Sequence, residues 1–188
     1  MCNLELVELL KSLESERIRL RPYKLTDWRE VLRYISSPDI WRYLDEQPFD
    51  EKAVRQFVAD NVEQQTQRDG FGDRIAVVLK SSLEIIGHVS FYSMYKQGEI
   101  GVASIMIGSK FQGRGYGTEA LKCIIKYAFS NTKIHRLEAS CYSKNLAAVK
   151  MLEKVGMKQE GLFRETMLIG DKWQDECMYS LLKSEWKK

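Results

Sequence analysis

Seven consecutive residues, Gln112-Gly113-Arg114-Gly115-Tyr116-Gly117-Thr118, put three glycines where an apolar strand pattern gives way to a helical one. Glycine lets the backbone turn tightly and approach a ligand closely. The N–H groups of a first helical turn lack intrahelical partners, and the helix dipole favours an anion there. A pyrophosphate suits such a turn, and Arg114 adds a cation beside it. The segment is not a P-loop, because no Gly-Lys-Ser/Thr follows. Its glycine spacing and its place after antiparallel strands, late in the chain, also exclude a dinucleotide fingerprint.

A second segment, NLAAVKMLEKVGM at residues 145–157, reads as a short capped helix. Asn145 is the N-cap, Ala148, Met151, Leu152 and Val155 form an inner face, and Gly156 ends it. Cys2, Cys123, Cys141 and Cys177 are widely spaced without a CxxC or zinc pattern, and only His88 and His135 are present. Reduced core thiols and no metal site are the expectation.

The remaining elements must position these two segments. Alternation at Ile18 and Leu20 marks a first strand closed by Pro22. Thr26 is placed to cap a helix whose apolar face is Trp28, Val31, Leu32 and Ile35. After a turn at residues 36–38 and an aromatic stretch, a second helix runs from about Asp50, with Val54, Phe57, Val58 and Val62 on one side and Asn61 at its edge. RIAVVL, LEIIGHVSFY and EIGVASIMI then read as three antiparallel strands. A helix at 117–130, a half-buried strand in HRLEASC and two final strands around the turn at Gly170-Asp171 complete the order.

The chain has 188 residues, 44% hydrophobic and 29% charged, and a net charge of +3 from mixed basic and acidic residues. That size and composition predict one soluble domain over 1–188. The charge gives no electrostatic case for nucleic-acid binding. The opening residues lack the pattern of a signal peptide and no stretch is apolar enough to span a bilayer, so a cytoplasmic location follows by default.

The glycine loop resembles the acetyl-coenzyme A signature Q/R-x-x-G-x-G/A of the GNAT superfamily, met by Gln112, Gly115 and Gly117. Residues 145–157 resemble the N-x-x-A-x-x-x-x-E-K-x-G-F segment of the same family, in the expected order. Together with ERIRLRPYKLTDW and EGLFRETMLIGDKWQDECMYSLLKSEW, the chain is similar over about 15–186 to the RimJ/RimL-like branch, the N-terminal acetyltransferases of ribosomal proteins. The resemblance implies an α/β (α+β) GNAT fold. That fold has a mixed central sheet of about seven strands, antiparallel at first, splayed between two parallel strands and flanked by about four helices.

It further implies acetyl-CoA as cosubstrate. Backbone groups of Ile105 and Ile107 would pair with the pantetheine, N–H groups of Gln112, Gly113, Arg114, Gly115, Tyr116, Gly117 and Thr118 would hold the pyrophosphate, and Asn145 would touch the cofactor arm. Trp41, Tyr43, Phe91, Tyr92 and Tyr95 would wall the acceptor pocket, with Asp45, Glu46, Asp50 and Glu51 nearby. Candidate bases are Glu99 and Glu165. The sequence departs from the family where many members carry an acid tyrosine, here Leu152, and where some carry a serine, here Ala148, leaving Tyr142, Ser143 or water to protonate the thiolate.

The resulting expectation is direct transfer of an acetyl group to a protein N-terminal α-amine, with ribosomal proteins favoured. An acetyltransferase for a small amine (polyamine, amino acid or aminoglycoside) and a non-catalytic acyl-CoA binder are the alternatives. The acceptor and the oligomeric state, including a homodimer, stay open.

Overall fold

The structure is a computed structural model in which residues 13–43, 47–67, 74–93 and 100–186 are described. Seven strands form one sheet in the order β1-β2-β3-β4-β5-β7-β6. They are β1 (Ile18–Arg21), β2 (Arg74–Leu79), β3 (Ile85–Ser93), β4 (Ile100–Ile107), β5 (Arg136–Tyr142), β6 (Lys158–Ile169) and β7 (Lys172–Leu182). The α-helices are α1 (Trp28–Ile35), α2 (Pro38–Trp41), α3 (Glu51–Gln67), α4 (Tyr116–Asn131) and α5 (Leu146–Lys154). Among the described residues no helix is long and apolar enough to cross a membrane.

Every neighbouring pair of strands is antiparallel except β4 and β5, which run parallel. Strand alternation sends side chains to two layers. On one face Val77, Val89, Ala103, Leu137 and Tyr179 pack against Leu121, Ile124, Ile125 and Ala128 of α4. On the other, Ala76, Val78 and Ile85 meet Val31, Tyr34 and Ile35 of α1 and Val54 and Val58 of α3.

Three expectations are corrected. Thr26 does not cap α1: residues Leu25–Asp27 form a 3-10 turn, and α1 begins after Asp27 with no side-chain cap. Asp27 instead accepts hydrogen bonds from Arg21 Nη1 at 2.6 Å and from the Lys24 N–H at 2.8 Å. A buried carboxylate needs such partners, and the paired Arg21 supplies the charge. The aromatic stretch after Pro38 holds the short helix α2, too brief for helical periodicity to reveal. Asn61 is not at an edge but 2% exposed in the core. Its Nδ2 donates to the Phe57 carbonyl, while its Oδ1 has no partner among the described residues.

The helix ends follow local chemistry. Asp50 caps α3 by accepting from the Ala53 N–H at 2.7 Å. Asn145 caps α5, accepting from the Ala148 N–H at 3.2 Å. Gly156 ends α5 at φ 92°, a left-handed conformation suited to glycine.

Candidate active site

The β4 and β5 strands form a fork. Their parallel pairing covers Ile100–Arg136, Gly101–Leu137 and Val102–Glu138 and then stops, although β4 continues to Ile107 and β5 to Tyr142. On its other edge β4 stays paired with β3 as far as Ile107 opposite Gly87. The Gly108 N–H donates to the Ile86 carbonyl at 2.8 Å, which fixes the phase of that ladder. Residues that bond across an antiparallel ladder alternate with residues whose amides face away. Ile105 and Ile107 therefore turn their backbone groups toward the open side of the fork.

Small and polar residues line the fork above its closed end. Ala103 and Ala139 are buried on the α4 face, while Ser104 and Ser140 are exposed on the opposite face. At the closed end, Arg136 Nε donates to Glu138 Oε1 at 2.7 Å and its Nη groups clasp Glu160 at 3.0 and 2.5 Å. Arg136 first and Ser180 second hold the Glu160 carboxyl down at about 2. Glu138, Ser104 and Ser140 were not among the sequence candidates, although the alternation in RLEASCY and GVASI places them on one face.

The glycine loop closes the open end. After a 3-10 turn at Ser109–Phe111, the Gln112 Nε2 donates to the Ile107 carbonyl at 2.8 Å, tying the loop to the strand it leaves. Gly113 and Gly115 then adopt φ of 73° and 85°. These left-handed turns aim the chain into α4, whose first turn has no side-chain cap. The first-turn N–H groups are thus left for a ligand or water. A Cβ on Gly117 would stand 2.9 Å from Met151 Sδ, so glycine there lets α4 and α5 approach across the loop.

The loop is braced from the far end of the sequence. Arg17 Nε donates to Glu119 Oε1 at 2.6 Å, Ser15 Oγ donates to Glu119 Oε2 at 2.6 Å, and Arg17 Nη2 donates to the Arg114 carbonyl at 3.1 Å. The guanidinium also lies 4.6 Å from the Tyr116 ring centroid. Burial pushes the Glu119 carboxyl up, but the hydrogen bonds from Ser15 and Arg17 outweigh it and hold the carboxyl below its ordinary value.

Tyr95, Glu99, Asp45 and Glu46 lie outside the described residues. Glu165 is exposed on β6 at φ 52°, its N–H donating to Asp175 Oδ1. Trp41 is a core residue: its Nε1 donates to the Ile35 carbonyl and its ring stacks on Phe49. Phe91 packs edge-on against Tyr127 on the α4 face, whereas Tyr92, its neighbour in the strand, points to the opposite face and is exposed. Phe91 and Tyr92 therefore do not share one wall; Tyr43 is half-buried. Leu152 is buried in the α4-side core. Burial raises the Cys123 and Cys141 thiols to about 11, which leaves little thiolate for a covalent route. Among the described residues no cluster of three or more His, Cys, Asp or Glu could hold a metal ion.

Residues 17–158 match the acetyltransferase (GNAT) domain family. The uncharacterized N-acetyltransferase YnaD of Bacillus subtilis is 28% identical over 172 residues, covering 92% of this chain and 97% of that protein. The [ribosomal protein uS5]-alanine N-acetyltransferase of Escherichia coli is 24% identical, covering 87% and 92%. The spermidine N(1)-acetyltransferase of Vibrio cholerae is 22% identical, covering 92% and 96%. The crystal structure of a GNAT-family acetyltransferase from Bacillus anthracis superposes with a TM-score of 0.82 at 29% identity, covering 92% of this chain and 98% of that one.

Proposed function

The chain belongs to the acetyltransferase (GNAT) domain family, and from that premise we propose that it passes the acetyl group of acetyl-CoA directly to the α-amine of a protein N-terminus of the ribosomal-protein kind. It is an acetyl-CoA-dependent N-acetyltransferase. The observation that carries the reading is the fork: β4 keeps its β3 ladder while its other edge leaves β5 after Val102 and opens toward the glycine loop.

The donor sets fit acetyl-CoA. An uncapped helical turn behind two left-handed glycines suits a diphosphate, with the exposed Arg114 beside it. Backbone groups of Ile105 and Ile107 face the open edge, where pantetheine amides need partners. The Asn145 Oδ1 caps α5, which leaves its Nδ2 to donate to the cofactor arm. Acetyl-CoA supplies the activated acyl group as a thioester; the protein binds and orients it.

An α-amine with a pKa of ~8 is partly neutral at cellular pH, whereas a lysine at ~10.4 is not. A weak base or a water chain therefore suffices for the first acceptor, which suits a site whose described carboxylates are either exposed, like Glu165, or already paired, like Glu138. A thiol leaving group of pKa ~8.5 departs without a strong acid, which suits the placement of Leu152 in the core. Positioning supplies most of the rate. The relative named for acetylating an alanine of ribosomal protein uS5 supports a protein acceptor.

The test is incubation with isotopically labelled acetyl-CoA and stripped ribosomal proteins, in parallel with spermidine, followed by intact-mass and peptide mass spectrometry. Label on the α-amine of one ribosomal protein is the expected result. Label only on spermidine would replace it with a small-amine reading. Cofactor binding without transfer to any amine would leave an acyl-CoA-binding protein.

A further inference from the structure

Glu119 sits in the first turn of α4, beside the N–H groups that the proposed function gives to the diphosphate of acetyl-CoA. An acidic side chain suits the dipole of a free helix N-terminus, but it repels a phosphate brought to the same place. The fold answers this conflict with residues that precede β1. Ser15 and Arg17 take one Glu119 oxygen each at 2.6 Å. The same guanidinium reaches the Arg114 carbonyl through Nη2 and covers the Tyr116 ring. One cation thus ties residues 114, 116 and 119 together and offsets the carboxylate between them. Its side chain stays 43% exposed, so its charge faces the loop rather than vanishing into the core. A planar fork of five donors can serve a carboxylate and a carbonyl at once, which a lysine ammonium cannot do in the same geometry.

We propose that Arg17, with Ser15, is a positioning residue for the nucleotide end of acetyl-CoA. It holds loop 114–119 in its anion-receiving form and masks the charge of Glu119. The inference rests on that loop being the diphosphate site. Its consequence is selective: the nucleotide half of the donor feels Arg17, whereas the thioester end near the closed end of the fork does not. Gly115 fits the same arrangement, since a Cβ there would stand 3.3 Å from Arg17 Nη2.

Three variants of the full chain test it, each checked for folding by melting temperature: Arg17→Ala, Arg17→Lys and Arg17→Ala with Glu119→Gln. Kinetics are measured with acetyl-CoA and with S-acetyl-pantetheine, which lacks the nucleotide. For Arg17→Ala the KM for acetyl-CoA rises about tenfold, as expected for losing a charge-assisted contact. Its kcat stays within about twofold, and the preference for acetyl-CoA over S-acetyl-pantetheine falls by the same factor of about ten. Arg17→Lys recovers part of the affinity, and so does Glu119→Gln in the alanine background, because the unmasked carboxylate is then gone. Unchanged KM in a folded Arg17→Ala protein overturns the inference. So does an equal loss with both donors, or a further loss on adding Glu119→Gln. Should Arg17→Ala not fold, the Arg17→Lys and double variants carry the same comparison. Failure of the wild-type protein to bind CoA at all would count against the diphosphate loop itself, a distinct result.

Discussion

Gln112 and Ile107 are joined by a hydrogen bond from the side-chain amide of one to the main-chain carbonyl of the other, 2.8 Å long. The bond spans the turn between β4 and α4, so it ties the end of the fork to the start of the helix that the proposed function gives to the diphosphate. In Gln112→Ala the carbonyl loses its partner at a cost of about 1 kcal/mol. The expected result is a roughly fivefold weaker affinity for acetyl-CoA by titration calorimetry, with the melting temperature lowered by a few degrees at most. An unaltered affinity would detach the bond from cofactor binding.

Gly113 and Gly115 both hold positive φ, but their surroundings differ. A Cβ on Gly113 meets nothing within 4 Å, whereas one on Gly115 comes within 3.3 Å of Arg17 Nη2. Alanine at either position costs about 1–2 kcal/mol for the left-handed backbone alone. Gly115→Ala should lose more stability in urea unfolding, because it also presses on the Arg17 brace. A larger loss for Gly113→Ala would contradict that role for the brace.

Gly117 and Met151 meet where α4 and α5 converge. Its close neighbour is the end of a flexible side chain, so Gly117→Ala should cost under about 1 kcal/mol, whereas Gly117→Val should cost about 2 through overpacking. Combining Gly117→Val with Met151→Ala should recover at least about 0.5 kcal/mol relative to additivity. Strict additivity in the double-mutant cycle would mean that the two residues do not share the contact.

His88 supplies a pH test. It is 6% exposed, its Nδ1 lies 3.0 Å from the Tyr34 hydroxyl, and that hydroxyl lies 3.2 Å from the Tyr23 hydroxyl. Burial first and the charge of Arg74 second push its pKa down to about 3. The unfolded chain, with a histidine pKa near ~6.5, therefore binds one more proton than the native state between those values. Stability from a neutral His88 is fully present above about pH 6.5 and falls by roughly 1.4 kcal/mol per pH unit below it. Unfolding free energies measured from pH 6 to 4 should drop less steeply for His88→Gln, by about one proton. Equal slopes would mean that His88 titrates as it does in water.

The strand alternations, the α3, α4 and α5 faces and the Asn145 cap were legible because each depends on neighbours within a few residues. The conformation of the glycine loop was legible for the same reason: Gly113 and Gly115 take up their left-handed turns within their own backbone. Arg17 was not, since its partner Glu119 lies 102 residues away and nothing local singles out either one. Thr26 lost its expected role because the buried Asp27 had a better partner in Arg21. That Phe91 and Tyr92 face opposite ways was contained in the sequence, since they are adjacent in one strand. Trp41 was harder to place, because its indole is fixed by a carbonyl six residues back and a ring eight residues on.

Amide hydrogen exchange with and without acetyl-CoA reads the proposed cofactor site residue by residue. Slowed exchange on cofactor binding is expected at the Ile105 and Ile107 amides and at residues 113–118, with little change along the far edge of the sheet in β6. Acetyl-CoA that raises the melting temperature while leaving the fork and the loop unprotected would contradict it.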